Sequence, residues 1–249
     1  MAESDAAQRH VVVTGGASGI GAAVVAELQG RGAAVTVLDL AAHPDPAVAS
    51  IAVDLVDEPG VIAALERAAR ERGSITALVA SAGVRGAFVP ALELDLDAVR
   101  RVLEVNVLGT LVPAREIVRR LDGRAGSIVA ISSTTAYRGW ANQADYGTSK
   151  AAVRQLVENL AVEWAPLGVR VNAVAPGHTL TAMVQGMVDS GYDLAPVRER
   201  TPLGRLASPE EMAREIVHLL LDASFVTGQT PAVDGGRTAV RKQLRRRAG

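Results

Sequence analysis

Short apolar runs of strand length alternate with longer stretches whose apolar residues recur at helical spacing, from one end of the chain to the other. Val11–Thr14, Ala34–Asp39, Ile51–Asp54 and Ala77–Ala80 are predicted as strands, followed by Ile128–Ser132, Val169–Val174 and Thr230–Asp234. Between them, Gly19–Arg31, Val61–Arg72, Asp97–Leu121 and Asp145–Trp164 read as helices. Gly109 and Pro113 should bend or loosen the longest of these, because proline removes a helical donor and clashes with the preceding turn. Ser208-Pro209-Glu210-Glu211 is a capping box with proline at the first helical position, and it opens a helix ending near Leu221. Strands that are apolar throughout are buried on both faces, so the alternation predicts an α/β fold with a doubly wound parallel sheet. No linker or repeat interrupts it, so residues 1–249 are expected to form a single domain. In such sheets ligands sit beyond the carboxyl ends of the strands.

Composition narrows the chemistry. With 249 residues, 49% of them hydrophobic, and a net charge of −1, the chain is neither disordered nor fibrous and can bury a sizeable core. It has no Cys, and His10, His43, His178 and His218 lie far apart without metal-ligand spacing, so metal-free chemistry is expected. The N-terminus lacks a secretory pattern and no apolar run reaches the roughly 18–20 residues of a membrane span. A cytoplasmic protein with no membrane partner is expected. Of 26 Lys and Arg, only Lys150 and Lys242 are lysine, and a lysine kept inside the body of an Arg-rich chain is informative. The basic tail at 241–249 is expected to be a solvated terminus, not a nucleic-acid contact.

The first strand runs into Thr14-Gly15-Gly16-Ala17-Ser18-Gly19-Ile20-Gly21, and a helix follows at once. Glycines there let the backbone turn tightly and approach a pyrophosphate resting on the helix N-terminus. At the end of the second strand, Asp39 can accept hydrogen bonds from both ribose hydroxyls of an adenosine and would repel a 2′-phosphate. Ser18 and Leu40, where a phosphate clamp would stand, are not cationic, which favours NAD over NADP. Asp54 and Leu55, at the end of the third strand, can flank the adenine, with turn capping as the competing role for Asp54.

Tyr146 and Lys150 lie four apart on a predicted helix and share one face, and Ser133 ends a strand 13 residues before Tyr146. A phenol with an ordinary pKa near ~10 is a poor base at neutral pH, but a neighbouring ammonium stabilises the phenolate. The pair makes a general acid/base, and Ser133 can hydrogen-bond the reacting oxygen.

These residues resemble the short-chain dehydrogenase/reductase family over nearly the whole chain. Its Thr-Gly-x-x-x-Gly-x-Gly loop matches Thr14 to Gly21, its Tyr-x-x-x-Lys matches Tyr146 and Lys150, and its serine matches Ser133. Asn106, Asn172, Pro176-Gly177, Thr181 and Asp234-Gly235-Gly236 follow in the family's order. The resemblance implies a Rossmann fold in which Tyr146 exchanges the proton, Ser133 positions the oxygen, and Lys150 holds the nicotinamide ribose. It implies that Asn106 holds a water linking Lys150 to solvent. It also places Ser81, Ala82, Gly83, Pro176, Gly177, Thr179 and Thr181 around NAD. The family's Asn-Asn-Ala-Gly reads Ala80-Ser81-Ala82-Gly83 here, a change expected to alter local support and not chemistry.

Gly177–Ala207 should form a lid over the substrate, carrying Met183 and Met187. Arg85, Arg138, Trp140, Asn142, Gln143 and His178 are candidate substrate contacts, and the arginines suggest an anionic, cyclic alcohol. The short connection from Asp39 to Asp54 looks like that of dihydrodiol dehydrogenases. The leading expectation is an NAD-dependent oxidoreductase of a secondary alcohol or ketone. One alternative is an NADPH-dependent 3-oxoacyl reductase, which Gln143-Ala144-Asp145-Tyr146 resembles and Asp39 opposes; another is a silent, cofactor-sensing protein on the same fold. Surplus apolar positions on the two long helices (Val102, Leu103, Val107, Leu108, Leu111, Val153, Leu156, Val157, Leu160) point to a homo-oligomer, and the resemblance to a tetramer.

Overall fold

The computed structural model describes residues 9–240, so the basic tail lies outside the described residues. Seven parallel strands form one sheet in the order β3-β2-β1-β4-β5-β6-β7. They are β1 (His10–Thr14), β2 (Ala34–Asp39), β3 (Ala49–Ala52), β4 (Ile75–Ala80), β5 (Gly126–Ile131), β6 (Val169–Pro176) and β7 (Ala232–Val233). The order reverses between β1 and β4, which opens a crevice at their carboxyl ends.

Both faces of the sheet are buried, as the apolar runs required. Val11 and Val13 of β1 point to one face, where α1 (Gly19–Gly30) and α8 (Pro209–Val217) contribute Val24, Leu28, Met212 and Ile216. Val12 points to the other. There it meets side chains of α2 (Glu58–Arg72), α4 (Gly109–Arg119) and α5 (Ala144–Trp164), among them Leu65, Ile117 and Val157. The predicted capping box is present: Ser208 accepts from the Glu211 N–H, and the Glu211 carboxylate accepts from the Ser208 N–H at 2.9 Å.

Three expectations are corrected. The third strand lies at Ala49–Ala52 rather than Ile51–Asp54, because β2 pairs from Thr36↔Ala49 to Asp39↔Ala52 and the chain then turns, with the Asp54 carboxylate accepting from the Val56 N–H. The final strand shrinks to Ala232–Val233 at the sheet edge. The long helix is not merely bent: α3 (Leu96–Leu103) and α4 are joined by a π turn over Glu104–Leu108, one turn before Pro113. A wide turn of this kind shifts the side-chain register, and here it places Asn106, fully buried, beneath the crevice. The predicted lid contains two short helices, α6 (Ala182–Asp189) and α7 (Ala195–Arg200). The surplus apolar positions on the long helices are mostly spent inside the chain. Val102, Val153, Val157 and Leu160 are buried, while Leu108 is exposed.

Candidate active site

The crevice is a cleft of about 400 Å³ whose wall takes in the glycine loop, the ends of β2, β4, β5 and β6, the start of α5 and the lid. Gly15 adopts φ +67°, and a Cβ there would stand 2.6 Å from the Ala82 Cα, so the β1 turn can pass the β4 end only as glycine. Ser18 precedes α1 without a side-chain cap, leaving the first-turn N–H groups of that helix without this partner. A Cβ on Gly19 would meet nothing closer than Thr181, at 3.5 Å. This uncapped, side-chain-free cradle fits the pyrophosphate of a dinucleotide.

Asp39 ends β2 with one carboxylate oxygen accepting from the Ala17 N–H at 3.0 Å and the other from the Ala41 N–H at 3.3 Å. Its carboxylate is thereby held against the cradle, where ribose hydroxyls would lie. Asp54 and Leu55 line the same end of the cleft. Asp54 combines its turn-capping role with an ion pair to Arg101 at 3.0 Å; these two interactions hold its carboxyl below the usual range. Arg101, which the sequence did not single out, is therefore the cation on that wall, and it is engaged.

Tyr146 and Lys150 rise on one face of α5, with the Lys150 ammonium 5.7 Å from the Tyr146 ring centre. Lys150 is buried and donates to the Ile131 carbonyl at 2.8 Å. The Ser132 hydroxyl donates to the Lys150 carbonyl at 2.8 Å, tying the end of β5 to α5. Burial lowers the Lys150 pKa to about 8. It also raises the Tyr146 phenol above its ordinary value, and the Ser133 hydroxyl opposes that shift. Burial is the larger of these two influences on the phenol. Ser133 is buried beside them, and its hydroxyl oxygen accepts from the Thr135 N–H at 3.2 Å.

Asn106 does not reach the cleft wall. Its side chain is consumed by the Val84 N–H at 2.8 Å, the Val84 carbonyl at 3.0 Å and the Ser149 hydroxyl at 2.9 Å. It buttresses the β4 turn, where a Cβ on Gly83 would approach the Lys150 ammonium to 3.3 Å. Asp145 makes a second buttress that sequence reasoning missed. Buried at the start of α5, it accepts from the Ala87 N–H at 2.9 Å and the Tyr146 N–H at 2.7 Å. A Cβ on Gly86 would overlap its carboxylate. The signal was an acid immediately before Tyr146 in the first turn of a helix.

Ser81, Ala82, Pro176, Gly177 and Thr179 line the cleft, as do Arg85, Asn142, Gln143, Met183 and Met187. Arg138 does not: it lies outside the wall and donates to the Thr238 carbonyl. Trp140 and His178 stack with ring centres 5.5 Å apart. The sequence did not flag Tyr192, which continues the stack at 6.2 Å from His178, or Phe88, which meets Tyr192 edge-on at 6.0 Å. Burial, then Arg237 and Arg200, push the His178 pKa down to about 4, so its imidazole is neutral at physiological pH. Phe88 and Asn142, both on the wall, hold left-handed backbone at φ +58° and +63°, a cost of about 1–3 kcal/mol each that concentrates at such clefts.

A family model described as "Enoyl-(Acyl carrier protein) reductase" matches residues 15–238. The cis-4-hydroxycyclohexanecarboxylate dehydrogenase of Sinomonas cyclohexanicum is 42% identical over 246 residues, covering 94% of this chain and 98% of that one. The chain belongs to the short-chain dehydrogenase/reductase family. It is an oxidoreductase of that family, which works with nicotinamide cofactors. A Sphingomonas 2-dehydro-3-deoxy-L-rhamnonate dehydrogenase (NAD(+)) is 34% identical, covering 93% of this chain and 96% of its own. A solved structure from Beutenbergia cavernae, described provisionally as an NAD(P)-dependent gluconate 5-dehydrogenase with NADP at low occupancy, is 36% identical. It superposes with a TM-score of 0.87, covering 94% of this chain and 98% of that one. Among the described residues, no helix is long and apolar enough to cross a membrane, and no group of His, Cys, Asp or Glu is placed to hold a metal ion.

Proposed function

We propose that the protein is an NAD-dependent dehydrogenase interconverting a small, polar, cyclic secondary alcohol and its ketone. The convergence of Tyr146, Lys150 and Ser133 in one cleft with the glycine cradle carries this reading. A nicotinamide cofactor bound by these residues would supply the hydride acceptor or donor. Tyr146 takes the hydroxyl proton of the alcohol, or returns it to the ketone, at the substrate oxygen. Ser133 donates to that same oxygen and fixes its position. Lys150, charged below its pKa of about 8, binds ribose hydroxyls and stabilises the phenolate as it forms. Asp39 selects the unphosphorylated ribose, hence NAD.

The cyclic substrate rests on the Sinomonas relative's activity and on the stacked Trp140 and His178 rings that line the cleft, a flat surface that suits a ring. The alternative, an NADPH-dependent acyl reductase, is favoured by the description of the matching family model and opposed by Asp39. The proposal keeps the cytoplasmic setting and a homotetramer, for which exposed Leu108, Val162 and Phe225 supply apolar surface.

The test is absorbance at the reduced-nicotinamide band with matched cyclic alcohols and ketones in both cofactors. Tyr146→Phe is expected to keep NADH binding and lose nearly all turnover, because it deletes the phenolic proton alone. Turnover within a few-fold of the unmodified enzyme would sink the assignment.

A further inference from the structure

The basic side chains of the cleft wall are Arg85, Arg101, Lys150 and His178, and they differ in what already holds them. Arg101 is paired with Asp54 at 3.0 Å. Lys150 is buried and donates to the Ile131 carbonyl at 2.8 Å. His178 is neutral at physiological pH, its pKa pushed down to about 4 by burial and then by Arg237 and Arg200. Arg85 is exposed at the wall, and among the described residues its guanidinium has neither a hydrogen bond nor an ion pair. It is the cation of this wall that is free to take a ligand.

The backbone that carries Arg85 is fixed on both sides. Asn106 accepts from the Val84 N–H at 2.8 Å and donates to the Val84 carbonyl at 3.0 Å. The Asp145 carboxylate accepts from the Ala87 N–H at 2.9 Å, and a Cβ on Gly86 would overlap it. The other oxygen of that carboxylate accepts from the Tyr146 N–H at 2.7 Å. One buried side chain therefore ties the turn bearing Arg85 to the backbone of the tyrosine that handles the substrate proton, which sets the spacing between the two.

The neighbouring wall suits an anion on a ring. Trp140, Asn142, Gln143, His178, Met183 and Met187 line it without a charge, so nothing among them competes for a carboxylate or repels it. A carboxylate matches the planar fork of a guanidinium with two parallel hydrogen bonds. Because the Arg85 guanidinium gives up no protein partner to make them, the gain is not offset by a broken pair.

We propose that Arg85 binds a carboxylate carried on the substrate ring, and that the Asp145 clamp sets the distance from that carboxylate to the hydroxyl oxygen at Tyr146. This rests on the cyclic-alcohol reading above and gives it a substrate class, cyclic hydroxy acids.

Calorimetry on the NADH-loaded protein with cyclohexanecarboxylate and its neutral amide tests the subsite without turnover. The acid should bind about tenfold more tightly, the lower end of what a hydrogen bond between charged groups gives, because the guanidinium is exposed. Added salt should shrink that preference. Arg85→Gln should abolish it, and Arg85→Lys should keep only part, since a point charge lacks the planar fork. Equal binding of acid and amide, no binding of the acid at millimolar concentration, or an undiminished preference in Arg85→Gln overturns the proposal. A loss of NADH affinity in Arg85→Gln with an unmoved acid-to-amide ratio assigns the guanidinium to the cofactor and overturns it equally. The spacing is read from kcat/KM on the 2-, 3- and 4-hydroxycyclohexanecarboxylates, which should differ in the unmodified enzyme and converge in Arg85→Gln; equal efficiency on all three refutes the clamp. Failure to oxidise cyclohexanol or any of these acids refutes the dehydrogenase reading, while the binding comparison still decides the subsite.

Discussion

Replacing Asp39 with Ser isolates the choice between NAD and NADP, because the Asp39 carboxylate is fixed by the Ala17 and Ala41 N–H groups at 3.0 and 3.3 Å. A hydrogen bond from a ribose hydroxyl to this charged acceptor contributes about 1.5–3 kcal/mol. Two negative charges about 4 Å apart repel by about 1 kcal/mol in bulk water and about 4 kcal/mol near a protein surface, so a cleft mouth gives roughly 2 kcal/mol per charge. Together these favour NAD by about 3–5 kcal/mol, a preference on the order of a hundred- to a few thousandfold in kcat/KM. Asp39→Ser removes the repulsion and most of the attraction, so efficiency with NAD should fall ten- to a hundredfold while efficiency with NADP rises about tenfold. The rise stops there because Arg101, the cation on that wall, is held by Asp54 at 3.0 Å. Adding Asp54→Ala frees it and should raise NADP use further. Steady-state kinetics in both cofactors read the ratio, and thermal unfolding checks that the loop survives. Equal efficiency with NAD and NADP in the unmodified protein, or a ratio unmoved by Asp39→Ser, refutes the reasoning.

Three further outcomes follow from the geometry. Burial holds the Lys150 pKa at about 8 against an ordinary 10.5, so the unfolded chain binds the extra proton between those values. Stability should therefore rise with pH across that window by at most about 3 kcal/mol, and Lys150→Met should flatten the rise; denaturant titrations that show no such difference contradict the buried ammonium. Asp145→Ala frees the Ala87 and Tyr146 N–H groups, so it should lower both Tm and kcat, with a stability loss of about 1–3 kcal/mol; unchanged kcat would show that the loop at 83–88 is held by other means. Light scattering at micromolar concentration should give four times the 25.8 kDa chain mass, and a monomer would refute the association.

The sheet and its order of elements were legible because a parallel sheet buried on both faces writes itself as unbroken apolar runs, and β1, β2 and α5 fell within a residue of their predicted bounds. Limits set by pairing and not by composition were harder to read. β3 begins where Thr36 needs a partner, and nothing in Ala49 or Ser50 announces it. The π turn that buries Asn106 was visible only as a proline and a glycine that should disturb a helix. The site divides in the same way. Glycines, Tyr146, Lys150, Ser133 and Asp39 are legible because each chemistry requires that residue type at that place.

Arginine is the opposite case in a chain that uses it almost everywhere for positive charge. Sign and proximity to a strand end nominated Arg85 and Arg138, and the structure separates them: Arg85 lines the cleft, while Arg138 lies outside its wall. The difference is what each guanidinium has already bonded. Arg138 reaches the Thr238 carbonyl, Arg101 holds Asp54, and Arg170 is consumed by the carbonyls of Leu219, Leu220 and Val226. Arg237 keeps a buried Nη1 without a partner among the described residues, with its guanidinium over the Trp140 ring at 4.3 Å. A sequence shows how many donors a chain carries. Which donor is left over is a property of the packing, and a leftover donor on the cleft wall is where a ligand can contribute binding energy that the protein has not already spent on itself.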